Sequence, residues 1–298
     1  MVICVTLVKV QRPAHAPPGL PVRWCRNPQG GSKPTTAGIR LDLMVESLFS
    51  GFADISVPEL ILIGAMALVA SVVGGVAGYG TGALMPLVLV PIVGAEPVVP
   101  ILSLSALFTN SSRTAAFLPL VDWRRAAIVL VAAVPTCALG AWGYTMLSGA
   151  GAALVIGAML IASVPLRRLM RRRGLTLSHR GLAVAAFAWG PLAGGTVGAG
   201  IILLSLLMAA GLEGAAVVAT DAVISIGIGL TKLLTFGLAG AVTAKVIAVA
   251  LLIGGIAFPG AFFAKALIER LPVHLHTVIL DAVVAGGGAV MIANAFMR

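Results

Sequence analysis

The chain has 298 residues, 59% of them hydrophobic and only 10% charged, whereas soluble domains carry about 25% charge. Too few polar side chains remain to cover a water-exposed surface, so composition points to an integral membrane protein. The net charge of +10 does not argue for nucleic acid, because aromatic residues make up 5% of the chain and offer no stacking platform.

Residues 1–43 stand apart from the rest. They are rich in Pro and Arg and hold no acidic residue before Asp42. The apolar opening is followed by no small-residue cleavage site, and the prolines oppose an amphipathic transit helix. The expectation is a disordered N-terminal extension, with translation starting at Met44.

From Leu60 to Val93 the chain runs without a charge, longer than the roughly 20 residues one bilayer crossing needs. Its middle, Gly74-Gly75-Val76-Ala77-Gly78-Tyr79-Gly80-Thr81-Gly82, is made of the residues worst at staying helical. A second interruption, Gly194-Gly195-Thr196-Val197-Gly198-Ala199-Gly200, follows in the other half. A break in lipid leaves backbone groups unpaired, so it survives only where it is buried in protein or lines a cavity. Paired breaks in matching halves point to a transporter's binding site.

Charged and turn-rich punctuation divides the chain into apolar segments near 59–93 (broken), 97–118, 124–146, 149–166, 181–210 (broken), 213–238, 243–268 and 274–296. The predicted fold is all-α and polytopic, with about eight transmembrane helices as two four-helix repeats. Each repeat begins with a Gly-broken helix. The first spans 44–166, a basic loop follows at 167–180, and the second spans 181–298. Six of the twenty basic residues fall between Arg167 and Arg180, which makes that loop cytoplasmic and puts both termini on the same side of the cell membrane. If a glycine break were instead a re-entrant hairpin, this parity would change.

The second crossing of each repeat carries a hydroxyl and then a cation: Ser112-Arg113 in the first, Thr231-Lys232 in the second. A cation inside a crossing costs several kcal/mol unless it faces protein, water or a partner. Snorkelling to the interface is the plainer alternative. Asp221 lies deep in the sixth crossing, where a carboxylate either forms a fixed ion pair with Arg113 or Lys232, or binds and releases a proton. Lys232 stands roughly 16 Å further along the same helix, so only a partner from another helix can reach Asp221. Asp281 reads as structural. Most of the hydroxyls between Ser103 and Ser112 are expected to join helices. Asn110 and Ser112 beside Arg113 nevertheless suggest a wet surface tolerant of anions.

The glycines have two readings. Gly74, Gly78 and Gly82 fit small-xxx-small helix packing. Alternatively a half-helix restarting after each break aims unpaired N–H groups and its positive dipole end at an anion. No strand and no acidic residue accompany them as in a dinucleotide fingerprint, and no Lys-Ser/Thr follows as in a P-loop. The expected substrate-binding residues are Gly78, Gly80, Thr81, Gly82, Gly198, Ala199, Gly200, Asn110, Ser112, Arg113 and Lys232, with Asp221 for proton coupling. Cys4, Cys25 and Cys137 lack pairing or ligand spacing, and His274 and His276 read as a polar loop, so neither metal nor cofactor is expected.

Over about residues 59–296 the chain resembles the TauE/SafE (sulfite exporter) family of membrane permeases. Gly78-Tyr79-Gly80-Thr81-Gly82 with Pro86-Leu87, Gly198-Ala199-Gly200, and Val121-Asp122-Trp123 carry the resemblance. Thr81 and Ala199 replace the family's middle glycine, and Leu204-Ser205 stands where the second half would have its proline. The resemblance implies transport of small sulfur-containing or organic anions such as sulfite or sulfonates. The expected function is a secondary transporter of such an anion, with membrane lipid and the anion as partners and self-association left open. A passive anion channel and a non-transporting membrane scaffold are the alternatives. An enzyme is not expected, since no nucleophile, metal cluster or paired carboxylates stand out.

Overall fold

Four helix starts are written in the sequence as side-chain caps. Ser56 and Glu59 form a reciprocal box, the Ser56 amide donating to Glu59 Oε2 at 2.8 Å. Asp122 accepts from the Arg125 amide at 2.9 Å, Ser178 from Gly181 at 3.2 Å and Thr243 from Val246 at 3.3 Å. A computed structural model describes Glu46 and residues 50–77, 80–173 and 176–259. Among them all regular structure is helical: α1 (Val57–Ala77), α2 (Gly80–Val93), α3 (Val98–Phe117), α4 (Trp123–Thr145), α5 (Gly149–Arg173), α6 (His179–Gly195), α7 (Gly200–Ala209), α8 (Ala215–Leu238) and α9 (Ala244–Ala257). A single 3-10 turn at Leu118–Leu120 ends the third of these.

Of these, α4 and α8 are long and apolar enough to cross a bilayer by length and composition alone. Their outer faces suit lipid: Val131, Leu234 and Leu238 are exposed. One expectation needs correcting. The basic stretch predicted as a loop from 167 is helical as far as Arg173, because α5 continues through the arginines. Arg is a good helix former, and charge does not end a helix once its apolar face is spent. The expected eighth crossing and the end of the seventh, with Asp281, His274 and His276, lie outside the described residues, as do residues 1–43.

Packing interlocks the two sequence halves. α4 packs along α6 and α8, whereas α9 packs along α3 and α1, and α3 lies against α8. Two hydrophobic cores result. One joins α1, α2, α3 and α9, with the first half of α5 and the C-terminal ends of α4 and α8, around Ile63, Met85, Ile101 and Ile253. The other joins α4, α6, α7 and α8 around Val129, Leu182, Leu203 and Ile224. Each core thus holds a helix from the other half of the sequence.

Glycine makes the closest contact. A Cβ on Gly194 would lie 2.0 Å from the Cys137 carbonyl oxygen, and one on Gly190 would lie 2.7 Å from that of Ala133. Gly140 is equally tight against the Pro191 carbonyl. α4 and α6 therefore meet backbone to backbone through a small-xxx-small pair at Gly190 and Gly194. The sequence reading had offered this kind of packing for Gly74, Gly78 and Gly82 instead.

Candidate functional site

The second break is a true end and restart. α6 stops at Gly195, Thr196 is extended at φ −150, Gly198 turns at φ +82, and α7 opens on Ala199 with no side-chain cap. Only glycine takes that positive φ without strain. In the first half α1 ends at Ala77 and α2 opens at Gly80. The two breaks converge. A Cβ on Gly82 would lie 3.2 Å from the Gly198 amide nitrogen, so the two backbones pass in close contact.

A cavity of about 140 Å³ opens beside this contact. Thr81 and Gly82 from the first turn of α2 and Gly198, Ala199 and Gly200 from the second break line one side. Asn110 and Arg113 from α3, with Asp221 and Lys232 from α8, line the other. Its volume compares with the roughly 150 Å³ that accommodates benzene, so an anion of about half a dozen heavy atoms fits and a nucleotide does not.

Most of the residues singled out in the sequence meet here. Gly78 is outside the described residues, and Gly80 is placed only as the first residue of α2. Ser112 is fully buried and donates to the Thr109 carbonyl at 3.3 Å, a bond within its own helix.

The two cations do different work. Arg113 donates through Nη2 to Asn110 Oδ1, one helical turn back, and its Nη1 lies 3.7 Å from Asp221 Oδ2 on the facing helix. That separation is a charge contact too long for a hydrogen bond. Asp221 is 1% exposed, and its Oδ1 has no hydrogen-bond partner among the described residues. Lys232, 7% exposed, donates through Nζ to the Thr196 carbonyl at 3.0 Å. Thr196 is the C-cap of α6, so the ammonium satisfies a carbonyl freed by the break and sits at the negative end of that helix. Neither side chain snorkels; both turn inward. Two cations against one carboxylate leave the cavity with an excess of one positive charge.

Sequence reasoning missed Trp189 of α6. It lines the cavity, and its indole N–H donates to the Ala199 carbonyl at 2.9 Å, bracing the restart of α7. A signal existed: membrane Trp usually sits at the interface, and Trp123 and Trp142 are exposed near the two ends of α4, whereas Trp189 lies ten residues inside a helix beginning at His179. Cys137, buried on α4, lies close enough to Lys232 to interact with it electrostatically; Cys4 and Cys25 lie outside the described residues.

The family model described as Sulfite exporter TauE/SafE matches residues 63–291, more than half of the chain and all of the cavity. The chain belongs to the TauE/SafE family. TauE/SafE proteins are membrane exporters or permeases of sulfite and related anions, so membership implies a small anionic substrate and transport rather than catalysis. No curated protein and no solved structure matches the chain. In this TauE/SafE chain the cavity joins parts of the two motifs that carried the resemblance, Thr81–Gly82 and Gly198–Gly200, to the cations of α3 and α8.

Proposed function

We propose that the chain is a secondary transporter that carries a small oxyanion, sulfite or an organosulfonate, across the cell membrane by alternating access. The observation that carries this reading is the convergence of both glycine breaks on one small cavity holding Arg113 and Lys232. The anion would sit against the backbone of Gly82 and of Gly198 to Gly200, within the positive ends of α2 and α7. Arg113 would supply the planar donor fork that suits an oxyanion, and Lys232 would hold the second break in shape. Asp221 would take the coupling proton.

The chain would cross the membrane eight times as two repeats, with both termini in the cytoplasm. The reciprocal packing, α4 against α6 and α8 and α9 against α1 and α3, supports such a repeat. It also changes what would move. The rocking bodies would be the two cores, each containing one helix from the other half, rather than the two halves of the sequence.

Efflux of labelled sulfite from proteoliposomes tests this. Wild-type protein should show saturable flux, and Gly82→Leu and Gly198→Leu should each abolish it. Wild-type rates in both variants would sink the site assignment. Flux far above carrier turnover and without saturation would instead mean a passive channel.

A further inference from the structure

Asp221 and an incoming anion need the same guanidinium. Among the described residues Arg113 is the charged group that reaches Asp221, and it does so at 3.7 Å, without a hydrogen bond between that nitrogen and that oxygen. Among the described residues, the other ionisable groups on the elements around α8 are bonded elsewhere or exposed: on α4, Tyr144 donates to the Ala95 carbonyl at 2.7 Å and Arg124 is exposed. Asp122 and Arg125, at the start of α4, pair with each other at 2.5 Å. Cys137, further along α4, lies near Lys232, and Lys232 itself is bonded to Thr196. α7 and the 3-10 turn carry no ionisable residue, and His179 and Arg180 are exposed in the first turn of α6.

An oxyanion placed at hydrogen-bond distance from Arg113 is a better partner for it than a carboxylate held at a longer range. Once that contact is lost, Asp221 becomes a buried, unpaired charge with an oxygen that already lacks a donor. A carboxylate in that position is costly, and it avoids the cost by becoming neutral. The proton comes from the solvent: an O–H bond of water or a bond to hydrogen of the buffer acid breaks, the conjugate base stays in solution, and one O–H bond forms on the carboxylate. The charge count agrees. With Asp221 ionised the cavity neutralises one negative charge; with Asp221 protonated it neutralises two.

We infer that anion and proton bind together through a partner exchange at Arg113. The substrate takes the guanidinium, Asp221 takes one proton, and the pair crosses as a unit. The ligand class is a small oxyanion, and a dianion gains most from the exchange. This inference rests on the proposed anion cavity, and the test separates its failure from the failure of that cavity.

The experiment is calorimetric titration of the full chain in detergent with sodium sulfate and with sodium methanesulfonate. Neither probe changes its own charge from mildly acidic to mildly alkaline pH, so any pH dependence belongs to the protein. Titrations in buffers of differing ionisation enthalpy count the protons taken up. Wild-type protein should take up close to one proton per sulfate at alkaline pH, and its affinity should fall as pH rises, by at most about tenfold per pH unit. Asp221→Asn removes the competitor; it should bind sulfate with little pH dependence and no proton uptake. Binding by wild type without proton uptake overturns the exchange, as does an unchanged pH slope in Asp221→Asn. Should that variant fail to fold, the wild-type proton count decides alone. No binding of either probe at any pH overturns the anion cavity itself.

Discussion

Gly82 of α2 and Gly198 of the second break lie backbone against backbone, a Cβ on Gly82 coming within 3.2 Å of the Gly198 amide nitrogen. Their neighbours Ala83 and Val197 belong to one hydrophobic core and Ala199 to the other, so this contact lies where the cores meet beside the cavity. A pivot made of two glycines can slide or rotate without displacing side chains. That is what an alternating-access carrier needs at its binding level.

Cross-linking distinguishes moving cores from moving sequence halves. Leu107 and Phe108 are neighbours on α3 but face different partners. A Cβ on Gly229 of α8 would lie 2.8 Å from Leu107 Cδ2, and one on Gly254 of α9 would lie 3.1 Å from Phe108 Cβ. Oxidising a Leu107→Cys/Gly229→Cys pair should lock one core to the other and stop flux until reductant is added. A Phe108→Cys/Gly254→Cys pair lies within one core and should leave flux largely intact. The reverse pattern would show that the sequence halves are the moving bodies.

The seam between α4 and α6 should tolerate no added methyl. In Gly194→Ala the new Cβ meets backbone, the Cys137 carbonyl oxygen at 2.0 Å and the Ala141 nitrogen at 2.8 Å, and backbone cannot rotate aside. We expect a loss of about 2 kcal/mol or more. Gly255→Ala on α9 meets nothing within 4 Å and should be neutral or stabilising by up to about 1 kcal/mol. Thermal unfolding followed by alkylation of the buried Cys137, in a background with Cys4 and Cys25 replaced by Ser, reads both.

Lys232 should have a structural effect that charge alone does not explain. Lys232→Met leaves the Thr196 carbonyl, on a residue 3% exposed, without the ammonium it now accepts from. The expected loss is about 1–3 kcal/mol of stability, with flux abolished. Lys232→Arg, which keeps a donor and the charge, should recover most of the melting temperature. If Met and Arg variants melt alike, the bond to Thr196 does not hold the break.

Asp122, which precedes the apolar span of α4, gives a pH effect of its own. Its carboxylate caps α4, and the Arg125 amide, helped by the Arg125 guanidinium, holds its pKa below the ordinary value. A pKa lowered on folding means that the folded state favours the ionised form. The stabilisation is complete above the ordinary aspartate pKa of about 3.9 and fades as pH falls through the lower folded value. Asp122→Ala should cost about 1 kcal/mol at neutral pH, and the gap from wild type should close in acid. Melting curves across that range would contradict the cap if the gap stayed constant.

The sequence by itself determined what local chemistry and composition control. A 59% hydrophobic chain has to be a membrane protein, capping residues such as Asp122 and Thr243 mark helix starts, and glycine clusters mark where a helix stops. It also flagged Arg113, Asp221 and Lys232, because an ionisable residue within an apolar run is expensive wherever it ends up. Only the tertiary structure decided their partners. Arg113 meets Asp221 and Lys232 meets Thr196 because α3 and α8 pack face to face beside the second break. The exchange of α4 and α9 between cores and the Gly190–Gly194 seam were likewise invisible beforehand. Spacing fixes which residues share a helix face, but which helix that face meets depends on the packing of the whole bundle.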